Sequence, residues 1–181
     1  MTLNENKVLV IDVEASAANP QWAELLEIGI VELCLKTGKI TTLVDEIIKP
    51  KEKISKNCWI FQNSTLSYEN IMKSGKDIKS ISKKVQQYFE TYRCTAYNQQ
   101  YDFTILRKLG FKIPHTTNDL MYFATDILQI PGYYDAYKWP KVQECIDFLD
   151  LDIIEPHRAC DDAKIEAQLV YEFIKQHNFR L

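Results

Sequence analysis

Asp12 and Glu14, two carboxylates one residue apart, close the aliphatic run Val8-Leu9-Val10-Ile11. The run is rich in β-branched residues and too short to span a membrane, so it reads as a buried strand. Side chains alternate along a strand, which places both acids on one face. Held ~4 Å apart, two like charges repel by roughly 4 kcal/mol at an effective dielectric near 20. A cation between them removes that cost, and hard carboxylate oxygens favour magnesium or manganese. A metal-bound carboxylate pair is suited to phosphoryl chemistry.

Two further segments carry groups of the same kind. Asp102 follows Asn98-Gln99-Gln100-Tyr101, where a short strand meets a helix, and lies in the first helical turn. It reads either as part of a site or as a carboxylate complementing the helix dipole. His157-Arg158-Ala159-Cys160-Asp161-Asp162 also sits at a loop-to-helix junction. There the alternative is a loop histidine, with Asp161 or Asp162 as a helix cap.

The elements that position these groups follow from apolar periodicity and turn residues. Lys7–Glu14, Glu27–Leu35 and Lys39–Ile48 read as successive strands, the last two paired through the turn at Thr37-Gly38. Asn19-Pro20-Gln21 punctuates the first connection, and Leu25-Leu26-Glu27-Ile28-Gly29 opens the second strand. Pro50–Asn63 reads as loop, and Thr65–Lys73 and Lys76–Tyr92 as helices. Thr95-Ala96-Tyr97 is a short strand, Asp102–Leu109 a helix stopped by Gly110, and Asn118–Leu128 a strand running into a helix. Pro140–Leu149 is a helix with proline at its start, and Asp161–Gln176 a long amphipathic helix. Strands first and helices later suggest one sheet flanked by helices, a single domain over residues 1–181.

A chain of 181 residues can bury a full core, and its net charge of −3 argues against broad wrapping of duplex nucleic acid while still admitting a metal-assisted contact with one strand end. The N-terminus has neither the basic start nor the apolar stretch of a signal peptide, and no run is long enough for a bilayer span. Cys34, Cys58, Cys94, Cys145 and Cys160 show no pairing pattern and read as free thiols in a reducing cytoplasm.

In order and spacing, these segments resemble the DnaQ-like 3′–5′ exonucleases, the DEDD family in its histidine-bearing (DEDDh) branch. The family's four carboxylates fall on Asp12, Glu14, Asp102 and Asp162, and its histidine on His157. Leu-Leu-Glu-Ile-Gly lies where the family carries Ile-Ile-Glu-Ile-Gly, and Lys73-Ser74-Gly75-Lys76-Asp77 resembles the Ser-Gly turn before its middle helix. Ala15-Ser16-Ala17 departs from the family's Thr-Thr-Gly, losing one hydroxyl and a permissive glycine.

The resemblance implies an α/β fold of the ribonuclease H-like type, a mixed sheet with an antiparallel three-strand meander plus parallel strands. It implies a 3′–5′ exonuclease releasing nucleoside monophosphates from single-stranded DNA or RNA, with two Mg2+ or Mn2+ ions. Asp12 then bridges both ions, Glu14 and Asp162 complete the first, and Asp102 supports the second. Histidine titrates near neutrality, which makes His157 the implied general base. Ala15, Ser16, Asn98, Tyr101 and Trp22 are the implied substrate contacts, and Trp59 and Trp139 are further stacking candidates or core aromatics. Lys76, Lys79, Lys83 and Lys84 admit two readings, a strand-guiding patch or a solvated helix face. Cys160 is either an oxidation-sensitive thiol or a small buried residue.

A polymerase is a possible partner, and oligomeric state is left open. The alternatives are oligoribonuclease-type trimming of short RNA, suggested by the Asp161-Asp162 doublet, and a non-catalytic nucleic-acid-binding module. A haloacid dehalogenase-type phosphatase would carry Asp-x-Asp, which Asp12-Val13-Glu14 does not match.

Overall fold

In the computed structural model, which describes residues 3–134 and 136–181, the aliphatic run becomes strand β1, Lys7–Ala15. Met1 and Thr2, which begin the segment read for a leader, lie outside the described residues. Strand β2 (Leu25–Cys34) pairs antiparallel with β1, and β3 (Ile40–Ile47) antiparallel with β2. Strand β4 (Arg93–Thr95) pairs parallel with β1, giving the order β3-β2-β1-β4. The meander and mixed sheet are those expected, with one parallel pair of strands and an isolated parallel bridge, Cys94 to Thr116, beyond it. Gly38 supplies the hairpin turn at φ +71°.

Both faces of the sheet are covered. Leu9, Ile11 and Val13 pack with residues of α3 (Lys79–Thr91) and α4 (Gln99–Lys108). Val8 and Val10 pack with α5 (Leu120–Leu128), α6 (Val142–Phe148) and α7 (Ala159–His177). Alternation carries Asp12 and Glu14 onto the same face as Val8 and Val10, under α7. No helix among the described residues is long and apolar enough to cross a membrane. The cysteines are free.

Several boundaries differ from the sequence expectation, each for a local reason. Within Pro50–Asn63, Ile60–Asn63 forms one helical turn, α1, because Ile60 buries against Leu26, Leu66 and Ile71. The next helix, α2, is Tyr68–Ser74, begun where the Ser67 side chain accepts the Asn70 N–H. Helix α3 starts at Lys79 instead of Lys76, since Lys76 bridges to Ile48 and donates its N–H to Ile47. Strand β4 lies two residues earlier than Thr95–Tyr97, because Tyr97 N–H turns away to Glu166. Asn118–Leu128 contains no strand, because the Asp119 carboxylate caps α5 through the Tyr122 N–H. Pro140 lies outside α6, and its carbonyl accepts the Tyr97 hydroxyl. Helix α7 begins two residues before Asp161, where Glu27 accepts the Ala159 N–H.

Candidate active site

The site begins with how closely α7 can approach the sheet. Asp12 stands opposite Gly29 in the β1–β2 register, and Glu14 opposite Glu27. A Cβ on Gly29 would lie 2.2 Å from the Ala159 carbonyl oxygen, so glycine there lets the first turn of α7 rest on the strand. Glu27, fully buried, takes the Ala159 N–H at 3.0 Å and the Arg158 guanidinium Nε at 3.0 Å to both of its oxygens. Arg158 also reaches Thr65 Oγ1 at 3.0 Å. Seated in this way, α7 brings Asp162 to Glu14.

Asp102 arrives from the other side of β1. Asn98 caps α4 by accepting the Tyr101 N–H, and Asp119 accepts the Gln99 N–H at 2.9 Å, which fixes the first turn. Buried Asp102 then takes the Val13 N–H at 3.2 Å, between the two acids of β1. The Tyr101 hydroxyl donates to the Ala17 carbonyl at 2.7 Å and pins the segment after β1.

His157 precedes α7 in a left-handed conformation, φ +53°, that costs a non-glycine residue roughly 1–2 kcal/mol. Its ring meets Trp59 edge-on at 5.0 Å, and its Nδ1 lies 3.8 Å from Glu155. Glu14, His157 and Asp162 each offer a ligand atom, and these lie within 4.8 Å of one another.

The electrostatics of the site ask for a cation. Burial, reinforced by neighbouring carboxylates, pushes Glu14 and Asp162 up to about 8. Burial also pushes Asp102 to about 8, against the Val13 N–H that lowers it. Asp12 and Glu166 are driven well above the usual carboxylate range, burial first and then the charges of the same cluster. Asp162 Oδ2 accepts the Arg158 N–H at 2.9 Å, while its buried Oδ1 has no hydrogen-bond partner among the described residues. An orphaned carboxylate oxygen facing other carboxylates fits a hard divalent ion.

Beside the acids opens a cleft of about 260 Å³ lined by Glu14, Ala15, Ser16, Ala17, Trp59 and Tyr101, among others. That is slightly below the roughly 300–1,000 Å³ of ordinary ligand pockets, room for one base-sized group and not for a duplex. Of the candidates from sequence, Ala15, Ser16 and Tyr101 line it, as does Trp59. Asn98 acts through its cap. Trp22, 80% exposed on the β1–β2 connection, is not among the lining residues. Trp139 is exposed against Tyr122, and Cys160 is buried against Thr42. The Ser16 hydroxyl accepts the Glu24 N–H at 2.9 Å, so part of its capacity goes to the connection.

Four acids of the site were missed from sequence. Glu166 lies one helical turn after Asp162, a spacing that puts both on one face, and takes the Tyr97 N–H at 3.1 Å. Asp119 stands just before an apolar run, the signature of an N-cap. Glu27 and Gly29 read from sequence as a strand opening and as part of the family-like Leu-Leu-Glu-Ile-Gly segment, without their contact to α7. Glu155 carried no signal beyond its closeness to His157.

Similarity to known proteins identifies the family and the fold. The model of the exonuclease family (RNase T) matches residues 9–170. The PolC-type DNA polymerase III of Thermotoga maritima is 24% identical over 179 residues, 96% of this chain. The chain spans 12% of that polymerase's length. Three solved structures share the fold. One is the nuclease domain of 3'hExo, a DEDDh family member bound to rAMP (TM-score 0.71, 16% identity, 95% of this chain and 93% of that one). Another is E. coli Exonuclease I with a dA16 oligonucleotide (TM-score 0.76, 10% identity, 96% of this chain and 42% of that one). The third is S. pombe Pop2p in a form with Mg2+ and Mn2+ (TM-score 0.72, 14% identity, 94% of this chain and 84% of that one). With the family model matching residues 9–170, nearly the whole chain, and the fold shared with the nuclease domain of a DEDDh family member, the chain belongs to the exonuclease family.

Proposed function

We propose that residues 1–181 form one exonuclease domain that removes nucleoside monophosphates from the 3′ end of a single strand of DNA or RNA. The observation that carries this reading is the meeting of Glu14, His157 and Asp162 within 4.8 Å, beside a cleft sized for one base. Asp12, Glu14, Asp102 and Asp162 would hold two Mg2+ or Mn2+ ions, and the orphaned Asp162 Oδ1 is the atom that most needs one. Such ions, when bound, activate a water and stabilise the leaving 3′ oxygen.

The protein's own groups do the rest. His157 accepts the proton of the attacking water as general base. Trp59 and Tyr101 form the walls against which the terminal base stacks. Tyr101 holds the Ala17 carbonyl, so the segment after β1 is positioned although it lacks the family's glycine. The free cysteines are consistent with a reducing cytoplasm. Similarity to a PolC-type DNA polymerase III supports work alongside a polymerase as one setting.

The test is a time course on 5′-labelled single-stranded DNA and RNA of one sequence, in magnesium, manganese or chelator, beside Asp12→Ala. A metal-dependent ladder shortening from the 3′ end, absent in the variant, is expected, and the faster strand names the substrate. No shortening of either strand in any metal overturns the reading.

A further inference from the structure

A larger cavity, about 360 Å³, opens between the start of α3 and the turn after α4. Ile78, Leu109 and Phe111 lie among its walls, and Lys51, Lys79 and Lys83 line it too. A neighbouring hollow of about 280 Å³ shares Lys51 and Lys79 and adds Lys49. Two separate segments, the one after β3 and helix α3, therefore bring four lysines together on a chain whose net charge is −3. None of the four makes an ion pair with another described residue. The lysines flanking them are engaged, Lys76 with Glu46 and Lys84 with the Leu43 carbonyl. One acid, Asp77, also lines the smaller hollow, where its Oδ1 accepts the Lys79 N–H at 2.9 Å, leaving lysines in excess in each hollow.

This cationic cavity is joined to the cleft by two hydrogen bonds. The Lys51 N–H donates to Glu24 Oε2 at 2.9 Å, and the Glu24 N–H donates to Ser16 Oγ at 2.9 Å. Ser16 lines the cleft and Lys51 lines the cavity. Lys108 fastens the same connection from α4 through the Ala23 carbonyl at 2.6 Å.

We propose that the lysine-lined cavity holds the phosphates of the substrate strand upstream of its 3′ nucleotide, an inference that rests on the exonuclease reading. Unpaired lysines select a polyanion, and the apolar walls accept a sugar or base face, the combination that single-strand grooves use. The link to the cleft through Glu24 favours the strand itself over an acidic peptide bound separately.

The test compares the wild type with the triple variant Lys51→Ala, Lys79→Ala, Lys83→Ala. All three side chains are exposed, and the matching Lys→Arg triple variant is the charge-retaining control. Binding of a labelled 20-nucleotide strand is read by fluorescence anisotropy in chelator, and hydrolysis of that strand and of a dinucleotide in magnesium. The alanine variant should raise Kd and KM for the long strand about tenfold and flatten the log–log salt slope by about 2, with the arginine variant restoring both. Dinucleotide hydrolysis should not change. An unchanged Kd and slope, an equal loss on the dinucleotide, or tighter binding of a labelled polyglutamate peptide than of the strand each overturns the proposal. Wild-type protein inert on both substrates would count against the exonuclease reading instead, and the anisotropy arm would still decide the cavity.

Discussion

Arg158 and Glu27, 131 positions apart, meet in an ion pair in which the guanidinium Nε lies 3.0 Å from each carboxylate oxygen. Glu27 belongs to the sheet and Arg158 is the residue between His157 and α7, so one contact fixes where both His157 and Asp162 stand. The carboxylate side is 1% exposed and the guanidinium side 29%. Loss of the charge on Glu27 leaves the Ala159 N–H a partner in glutamine but removes the clasp on Arg158.

Glu27→Gln should therefore cost about 3 kcal/mol, the low end for breaking a buried pair, because Arg158 keeps some contact with water. The clearer sign is in catalysis, since His157 and Asp162 are both displaced. At a temperature where the variant is fully folded, kcat should still fall at least ~10-fold, with chemical denaturation and single-turnover rates read on the same sample. A destabilised variant with normal kcat would show the pair to be purely structural.

Gly29→Ala tests the approach of α7. The new Cβ would meet backbone atoms of Ala159 and Cys160 at 2.2–2.4 Å, and backbone cannot rotate aside as a flexible side chain can. Overpacking of this kind costs roughly 1–3 kcal/mol or more. The expected result is a Tm drop of at least about 3 °C, with loss of metal-dependent activity because Asp162 is lifted from Glu14. An unaltered Tm would mean that the helix slides without penalty.

Which parts of this arrangement were legible in the sequence follows from the range of the forces involved. The acids of β1 were visible because strand alternation is local, and Asp102 and Asp162 because each opens a helix. The pairing of Glu27 with Arg158 was not, since nothing in either segment encodes a partner more than a hundred residues away. Gly29 had no turn to explain it and gained its reason only from the α7 backbone above it. The boundaries of α3 and β4 moved for a similar cause. Lys76 and Tyr97 spend their N–H groups on tertiary partners, which override helix and strand preference. Trp59 illustrates the opposite case, an aromatic in a segment read as loop whose neighbour Ile60 buries and turns it toward His157.

With the proposed ions, the acidic cluster should make stability depend on pH and metal together. Glu14, Asp102 and Asp162 have folded values of about 8, above their unfolded values near 4, so the folded chain binds more protons than the unfolded one. Their contribution is fully present below about pH 4 and is lost as pH rises through 8. In chelator, Tm should fall between pH 6 and 8.5, and millimolar Mg2+ or Mn2+ should restore at least roughly 3 °C at the upper end and little at the lower. Asp162→Asn, with one charge fewer, should flatten the metal-free decline, lose most of the metal-induced rise and abolish turnover. Differential scanning fluorimetry across pH reads the first two, and a metal effect independent of pH would contradict the assignment of these ligands.

His157 combines a strained backbone with the proposed proton-transfer role, and the two can be separated. Alanine keeps the unfavourable φ of +53° while removing the imidazole, whereas glycine removes both. His157→Ala and His157→Gly should each lower kcat at least ~10²-fold, the lower end of general-base effects, with KM little changed. Between the two, the glycine variant should be more stable by about 1 kcal/mol, or roughly 2–4 °C in Tm, because only it relieves the left-handed conformation. Both variants also lose the edge contact with Trp59, so that contribution cancels in the comparison. If the base role is right, the rate of either variant should rise more steeply with pH than that of the wild type, since hydroxide then replaces the imidazole. Equal pH profiles for wild type and both variants would assign His157 to positioning alone, and equal Tm values would show that the backbone at this position stores no strain.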